Sequence, residues 1–243
     1  MRDLTLANRI VVSPMAQYSA TPEGHATPWH LMHVGNLAVS GAGLVIMEAT
    51  AVEPRGRVSP RCLGLWTDAQ AEALRPVVDS VARRGKRRSA SNSPMPAARA
   101  RSPRPWEGNE TVPPEAGGWR PVSSCELAYP GRPVPQMLSL DEMDEIKAGY
   151  VAAARRADAL GFDLIELHAA HGYLLNCFLS PLANRRNDAY GGDLLGRMRW
   201  PLEIFAALRG PGRRASRSGS ASRRPIGRRM GGTRMTASPW PAR

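Results

Sequence analysis

Short runs of apolar residues alternate along the chain with longer amphipathic segments. The runs NRIVVSPM (Asn8–Met15) and GLVIMEATAV (Gly43–Val52) are rich in aliphatic and β-branched residues, which predicts buried β-strands. A third such run, FDLIELHAA, begins at Phe162. Strands that are apolar on both faces are typical of a parallel sheet covered by helices. The pattern therefore predicts an α/β fold, built as either a barrel or an open doubly wound sheet.

Helix-start signals precede the amphipathic segments. Thr27 followed by Pro28 is a favourable N-cap and first helical residue. Thr67 and Ser139 each begin a capping box, with Gln or Glu three residues later. Glycines follow the first three segments, where they end helices. We therefore predict helices over residues 27–41, 67–85, 139–161 and about 194–208.

The alternation fails where a third strand is due, after the second predicted helix. The residues there are KRRSASNSPMPAARAR (86–101), which contain almost no strand-forming side chains. The tail at 210–243 is similarly rich in Arg, Ser, Pro and Gly and has no periodicity. We expect residues 86–104 and 210–243 to be disordered.

The positive charge of the chain is confined to these anomalous segments. The chain has 33 Lys and Arg against 21 Asp and Glu, a net charge of +12. Residues 83–104 hold eight of the basic residues and residues 209–243 hold ten, and neither segment has an acidic residue. The remainder has 15 basic and 21 acidic residues, a net charge of −6. A nucleic-acid partner is therefore not expected, despite the basic total.

Other function classes are disfavoured by simple patterns. No run of about 18 apolar residues exists, so no membrane span is expected, and the first residues lack the pattern of a signal peptide. Cys62, Cys125 and Cys177 show neither disulfide-like nor metal-ligand spacing, which favours a cytoplasmic protein and predicts no metal site. A dinucleotide-binding GxGxxG or a P-loop does not follow the first strand.

The most informative motif is HAAHGY, at the end of the third apolar run. It places two imidazoles, His168 and His171, beside the phenol of Tyr173. Residues three apart on a strand face opposite sides of the sheet. The strand must therefore end near His168 and turn before the rings can converge.

Four segments together resemble the Old Yellow Enzyme family of flavin-dependent ene-reductases, in particular its short-chain bacterial branch. These are NRIVVSPM, GLVIMEATAV, HAAHGYL and FLSPLANRRNDAYGG, and the resemblance covers about 3–85 and 105–209. It implies a (β/α)8 TIM barrel, with residues 1–209 forming the N-terminal half of about four βα units. It also implies FMN at the barrel mouth and NADPH or NADH as hydride donor. The implied reaction reduces the C=C bond of an α,β-unsaturated carbonyl compound.

The resemblance assigns roles to individual residues. It implies that His168 and His171 hydrogen-bond the substrate carbonyl oxygen, that Tyr173 protonates the α-carbon, and that Tyr18 lines the substrate pocket. Residues implied to contact FMN are Ser13, Pro14, Met15, Ala16 and Ala49. Ala16 is a departure, because many relatives have Cys or Thr there and alanine removes that side-chain contact to the flavin.

The anomalous segments can be interpreted as out-of-frame translation. Family members carry a strand similar to IGIQLAHAGRK where this chain has residues 87–99. A permitted coding of residues 87–99 gives AIGIQLAHAGRK when read two bases later, and the tail can be treated in the same way. The hypothesis explains why this chain lacks the Gln of the third strand and the Arg of the fifth that bind the flavin ring in the family.

Three interpretations remain open at this point. The chain is an ene-reductase, a non-functional fragment of one, or a member of another class, an Arg-rich nucleic-acid-binding protein. Bound flavin would distinguish the first, and salt-dependent nucleic-acid binding the third. A small-molecule enone is the expected substrate, and the family is often homo-oligomeric.

Overall fold

The computed structural model describes residues 5–82, 88–93, 103–108 and 110–209. The strands, in chain order, are β1 (Val11–Val12), β2 (Leu44–Ala49), β3 (Arg88–Ser93), β4 (Val122–Ser123), β5 (Gln136–Met137) and β6 (Leu164–Leu167). The α-helices are α1 (Pro28–Val39), α2 (Asp68–Ala82), α3 (Leu140–Leu160), α4 (Leu174–Leu179) and α5 (Leu194–Arg209). None of the helices in this part of the chain combines the length and apolar character needed to span a bilayer.

The main sheet has four parallel strands in the order β1-β2-β3-β6, which confirms the predicted parallel α/β fold. The register aligns Ala49 with Asn92 and Asn92 with Glu166, close to the carboxyl ends of three strands. The spatial order of these four strands is the same as their order along the chain, so each strand is added at the same edge of the sheet. A doubly wound sheet instead reverses direction, so this order favours a barrel.

The two faces of the sheet are covered differently. Val45 and Met47 of β2, with Ile165 and Leu167 of β6, pack with buried residues from all five helices in one large cluster. The alternate residues on the other face form a small cluster of Leu6, Leu44, Ile46 and Leu164. Helices on one face only, with a separate apolar layer on the other, is the arrangement of a segment of barrel wall.

The predicted helices are confirmed, with their ends within a few residues of expectation. Ser139 Oγ accepts a hydrogen bond from Glu142 N–H at 3.1 Å, and the Glu142 carboxylate accepts one from Ser139 N–H at 3.0 Å. The same reciprocal pair joins Thr67 and Gln70 at the start of α2. Gly161 ends α3 with φ of 92°, a conformation that glycine adopts without strain.

The prediction of disorder throughout residues 86–104 is wrong for Arg88–Ser93. These residues form β3, which pairs in parallel with β2 on one side and β6 on the other. The ladder is made by main-chain groups, and RSASNS contains no proline, so each residue retains the N–H that a central strand needs. The rest of the anomalous segment is described only at 103–104, and the tail at 210–243 lies outside the described residues.

The first strand is shorter than predicted, because its ends make other bonds. Asn8 Oδ1 accepts hydrogen bonds from the N–H groups of Ile10 and Gly43, and Asn8 Nδ2 donates to Gly41 O. These three hydrogen bonds of the Asn8 side chain join the start of β1 to the turn that precedes β2. At the other end Pro14 has no N–H to donate to a ladder, and pairing stops at Val12.

Candidate active site

The predicted site residues follow the carboxyl ends of β1, β2 and β6. Because neighbouring parallel strands end at the same edge of a sheet, the segment 13–18, Ala49 and His168 share one end of the described barrel wall. Active sites of barrel enzymes lie at this end. The fold thus gathers residues that are up to 160 positions apart in sequence.

The rings of the HAAHGY motif converge as the spacing predicted. β6 ends at Leu167, and His171 and Gly172 both have positive φ values, of 59° and 77°. This turn brings the ring centroid of His171 to 4.9 Å from that of His168, and the Tyr173 centroid to 5.1 Å from the same ring. Both pairs meet edge to face, at 66° and 65°. One turn therefore presents two imidazoles and one phenol as a single group.

Hydrogen bonds within the turn stabilise its unusual backbone. Gly172 N–H donates to Asn176 Oδ1 at 3.0 Å, and Tyr173 N–H donates to Ala170 O at 3.1 Å. Tyr173 is also the N-cap of α4, whose next two residues, Leu174 and Leu175, are fully buried. The turn is thus anchored directly in the core.

His168 is poised as a neutral donor. Burial, with a smaller contribution from the neighbouring His171, lowers the pKa of His168 to about 4. His168 is therefore an uncharged imidazole at neutral pH, with one N–H to donate.

Tyr18 follows β1 in the segment 13–18. Burial is the main reason why its pKa is raised, and the charges of Cys62, Tyr173 and Glu48 add to the effect. Its backbone has φ of 53°, and its ring meets that of the exposed Trp106 edge to face at 6.0 Å. Trp106 was not predicted as a site residue, because its proximity to Tyr18 arises only in the folded chain.

The segment 13–16 presents an uncharged surface at the strand end. Met15 is 46% exposed, and Ala16 is half-buried. No Asp, Glu, Lys or Arg occurs from residue 10 to residue 22. Ala49, the last residue of β2, is half-buried beside this segment. An apolar ring system can lie against such a surface without burying a charge.

Sequence reasoning missed a buried hydrogen-bond network behind this segment. His30 Nε2 lies 3.1 Å from Glu48 Oε1, and both side chains are at most 2% exposed. Glu48 Oε2 accepts a hydrogen bond from Gln17 N–H at 3.1 Å. The sequence signalled only the capping role of His30, because this residue occupies the third helical position after Thr27, where a capping box has Glu or Gln.

The loop after the histidine motif is held by a buried arginine. Arg186 donates to Leu138 O at 2.8 Å and to Ser124 O at 3.4 Å, and it pairs with Asp188. This pairing is the main reason why the pKa of Asp188 lies below its usual value. Arg186 and Asp188 thus order the loop, whereas Arg185 is exposed.

Comparison with known proteins identifies the fold and family. Residues 1–213 match the NADH:flavin oxidoreductase / NADH oxidase family. An NADH:flavin oxidoreductase of Gibberella zeae is 40% identical over 215 residues, which cover 86% of this chain and 52% of the relative. An NADPH dehydrogenase of Clostridium acetobutylicum is 38% identical over 210 residues, which cover 86% of this chain and 58% of the relative. The chain thus spans little more than half the length of these relatives.

Solved structures give the same answer. Morphinone reductase superposes with a TM-score of 0.73 at 30% identity, and the match covers 84% of this chain and 55% of the reductase. An Old Yellow Enzyme homologue from Zymomonas mobilis superposes with a TM-score of 0.70 at 28% identity, over 83% of this chain and 55% of the homologue. The described sheet is accordingly part of a TIM barrel. The chain belongs to the NADH:flavin oxidoreductase / NADH oxidase family, the family of Old Yellow Enzyme, whose cofactors are FMN and a nicotinamide nucleotide.

Proposed function

We propose that the site is the substrate-activating part of an FMN-dependent NAD(P)H oxidoreductase that reduces the C=C bond of α,β-unsaturated carbonyl compounds. The observation that supports this best is the convergence of His168, His171 and Tyr173 within about 5 Å at the end of β6. Three ring donors gathered in one turn suit a substrate whose oxygen becomes negative during reaction.

The residues present fit the proposed cofactor along one side of the site. The uncharged segment Ser13–Ala16 and the end of β2 at Ala49 would hold the flavin ring. When bound, FMN supplies a hydride that originates from NADPH or NADH. The nicotinamide preference is left to experiment, because the relatives include both NADH- and NADPH-named enzymes.

The chain's own residues supply the polar part of the reaction. The N–H groups of His168 and His171 hold the carbonyl oxygen and stabilise the charge that develops there when hydride reaches the β-carbon. Tyr173 donates its phenolic proton to the α-carbon, which completes a saturated carbonyl product. A neutral His168 serves this role well, because it donates a hydrogen bond without requiring a buried permanent charge.

Partners and compartment follow from the same proposal. The partner is a small enone, and the family's frequent homo-oligomerisation is an open expectation for this chain. The three cysteines are free thiols, all buried, which supports a reducing cytoplasm.

The experiment is a flavin titration followed by a turnover assay. The purified protein is mixed with FMN in excess, because weak binding is expected of these 243 residues alone, and binding is followed by the change in flavin fluorescence. NADPH and NADH oxidation is then measured with and without cyclohexenone. Enone-dependent oxidation that is lost in the double variant His168→Ala/His171→Ala supports the proposal. Oxidation that does not depend on the enone, or that persists in the double variant, contradicts it.

A further inference from the structure

We propose that the buried His30–Glu48 pair is a positioning device that holds the segment 13–18 in place at the flavin face. This inference rests on the proposed function, because it assigns that segment to the cofactor. The pair itself does not reach the reacting atoms, so His30 and Glu48 are positioning residues. They act through the main chain of Gln17.

The first step is that this segment depends on side chains for its conformation. In the described structure, β1 pairing ends at Val12, and the next bond between main-chain groups is from Ala20 N–H to Arg61 O at 3.0 Å. Between these points the main chain is held by the Glu48 carboxylate at Gln17 N–H and by side-chain hydroxyls. Loss of the carboxylate contact would leave Gln17 N–H without its partner.

The second step is that the hydrogen bonds fix the tautomer of His30. Its Nδ1 accepts a hydrogen bond from Thr27 N–H at 3.0 Å, so Nδ1 carries no proton. The ring proton of the neutral imidazole is therefore on Nε2, which donates to Glu48 Oε1. Glu48 then has one oxygen for His30 and the other for Gln17. The chain from α1 to the strand-end segment has a donor and an acceptor at every contact.

The third step is that α1 reaches the same segment by a parallel route. Trp29 Nε1 donates to Gln17 Oε1 at 3.1 Å, while Gln17 Nε2 donates to Met15 O at 2.9 Å. Thr27 Oγ1 donates to Ser19 O at 2.9 Å. The first turn of α1 thus contacts Gln17 by two routes. His30 reaches the main chain of Gln17 through Glu48, and Trp29 hydrogen-bonds its side chain. A shift of this turn would move residues 15–18 with it.

Two substitutions of equal size separate positioning from simple packing. In His30→Gln the side-chain oxygen accepts from Thr27 N–H, as in an ordinary capping box, and the amide NH2 donates to Glu48. In His30→Glu the cap is kept, but a second carboxylate faces Glu48 and no donor remains. The two variants differ only at the contact on which the proposal depends.

The primary measurement is hydrogen exchange of the Gln17 amide by NMR, which needs no flavin. We expect exchange to accelerate at least about tenfold in His30→Glu, since hydrogen bonds to charged groups are among the stronger ones, and to stay within about threefold of wild type in His30→Gln. Amides of α3 serve as the internal control. Equal acceleration in both variants, or none in His30→Glu, would overturn the proposal.

A second variant decides the matter if His30→Glu does not fold. Glu48→Gln has one acceptor oxygen for two donors, so either Gln17 or His30 loses its bond without a like-charge clash. The exchange of Gln17 N–H is measured in Glu48→Gln and in the double variant Glu48→Gln/His30→Ala. The proposal is overturned if this exchange is as slow as in wild type in both variants. Faster exchange in either, with α3 unchanged, supports it.

FMN titration then tests the flavin part separately. Absence of flavin binding by wild type would count against the proposed function and leave the exchange result standing. With flavin bound, we expect at least about tenfold weaker affinity in His30→Glu and near-normal affinity in His30→Gln. Equal affinities in the two variants, despite a loosened Gln17, would show that the pair does not position the flavin face.

Discussion

The ring of His168 meets the ring of Tyr173 edge to face, with centroids 5.1 Å apart, although the two residues are separated by a left-handed turn. This contact places the proposed hydrogen-bond donor and the proposed general acid on one short turn. Both rings follow the same buried strand, so their relative position depends little on the rest of the site. This arrangement favours a reaction in which the imidazole and the phenol act on neighbouring atoms of one substrate.

His168 should titrate far below an ordinary histidine. Its pKa is about 4, and an unfolded histidine has a pKa near 6.5. The unfolded chain therefore binds the proton more readily between these values, and the stability of the fold falls as pH drops from about 6.5 towards 4. NMR titration of the His168 ring should show no protonation above about pH 5. A His168→Gln variant should lose this part of the pH dependence of urea denaturation, and an ordinary titration near pH 6.5 would contradict the prediction.

Tyr173→Phe should affect the two half-reactions unequally. In the flavin-loaded protein, removal of the phenol should slow enone reduction by roughly 10²–10⁴-fold, the usual contribution of a general acid, with flavin reduction by NADPH little changed. Stopped-flow absorbance of the flavin separates the two steps. Tyr190→Phe is the matched control, because that phenol contacts Glu203 instead. Equal slowing of both half-reactions would argue against a proton-donor role.

His168→Ala should weaken the binding of phenols in the same protein. Under the proposed function a phenol would present its oxygen to the two imidazoles, and the loss of a hydrogen bond with one of them should reduce affinity by roughly tenfold or more. The measurement is a phenol titration followed by flavin absorbance. Affinity equal to wild type would show that His168 does not face the ligand oxygen.

Arg186→Met should destabilise the fold. The substitution removes the donor to Leu138 O and Ser124 O, in a region where both residues are fully buried. Each of these two buried groups costs roughly 1–3 kcal/mol when unsatisfied, so we expect a loss of about 2–6 kcal/mol in urea denaturation. The neighbouring, exposed Arg185→Met should change stability by at most about 0.5 kcal/mol. If both variants lost a similar free energy of unfolding, the hydrogen bonds of the buried Arg186 guanidinium would not be the cause of the destabilisation.

A polypeptide of these 243 residues alone should bind FMN weakly. It lacks the Gln and Arg that bind the flavin ring in the family, and hydrogen bonds of this kind contribute roughly 1–3 kcal/mol each. Their absence alone corresponds to about one to four decades in affinity. Equilibrium dialysis with FMN measures this directly. Stoichiometric, tightly bound FMN on this polypeptide would contradict the prediction.

The gene sequence tests the frame hypothesis. A two-base offset across codons 87–99 should encode a strand with Gln followed three residues later by His. The position is consistent with the structure, because β3 occupies Arg88–Ser93, where the shifted frame reads as the family's third strand. A gene in which this offset does not produce such a strand would refute the hypothesis.

Local signals predicted the helices well, and tertiary relationships were harder to predict. Ser139 and Glu142 lie in one turn, so their capping box is visible in the sequence. His30 and Glu48 are 18 residues apart, and no local pattern reveals that their side chains meet. The convergence of His168, His171 and Tyr173 could be anticipated only because one short turn contains all three.

For the third strand, it was the local side-chain signal itself that misled the prediction. Side-chain preferences in RSASNS argued against a strand, yet the main chain pairs on both sides. Strand preference is strongly dependent on context, and a place between two parallel strands offers hydrogen bonds to any residue with an N–H group. Composition was therefore a poor guide at this one place.

The short pairing of β1 has a consequence for protein synthesis. Ile10 is 61% exposed and Val11 42% exposed, and among the described strands β1 has a neighbour on only one side. Among the described strands β1 is synthesised first, and its partner β2 follows about 30 residues later. An apolar strand that stays unpaired until its neighbours are synthesised is a site of intermolecular association. Chaperone supply and expression temperature should therefore determine the yield of soluble protein.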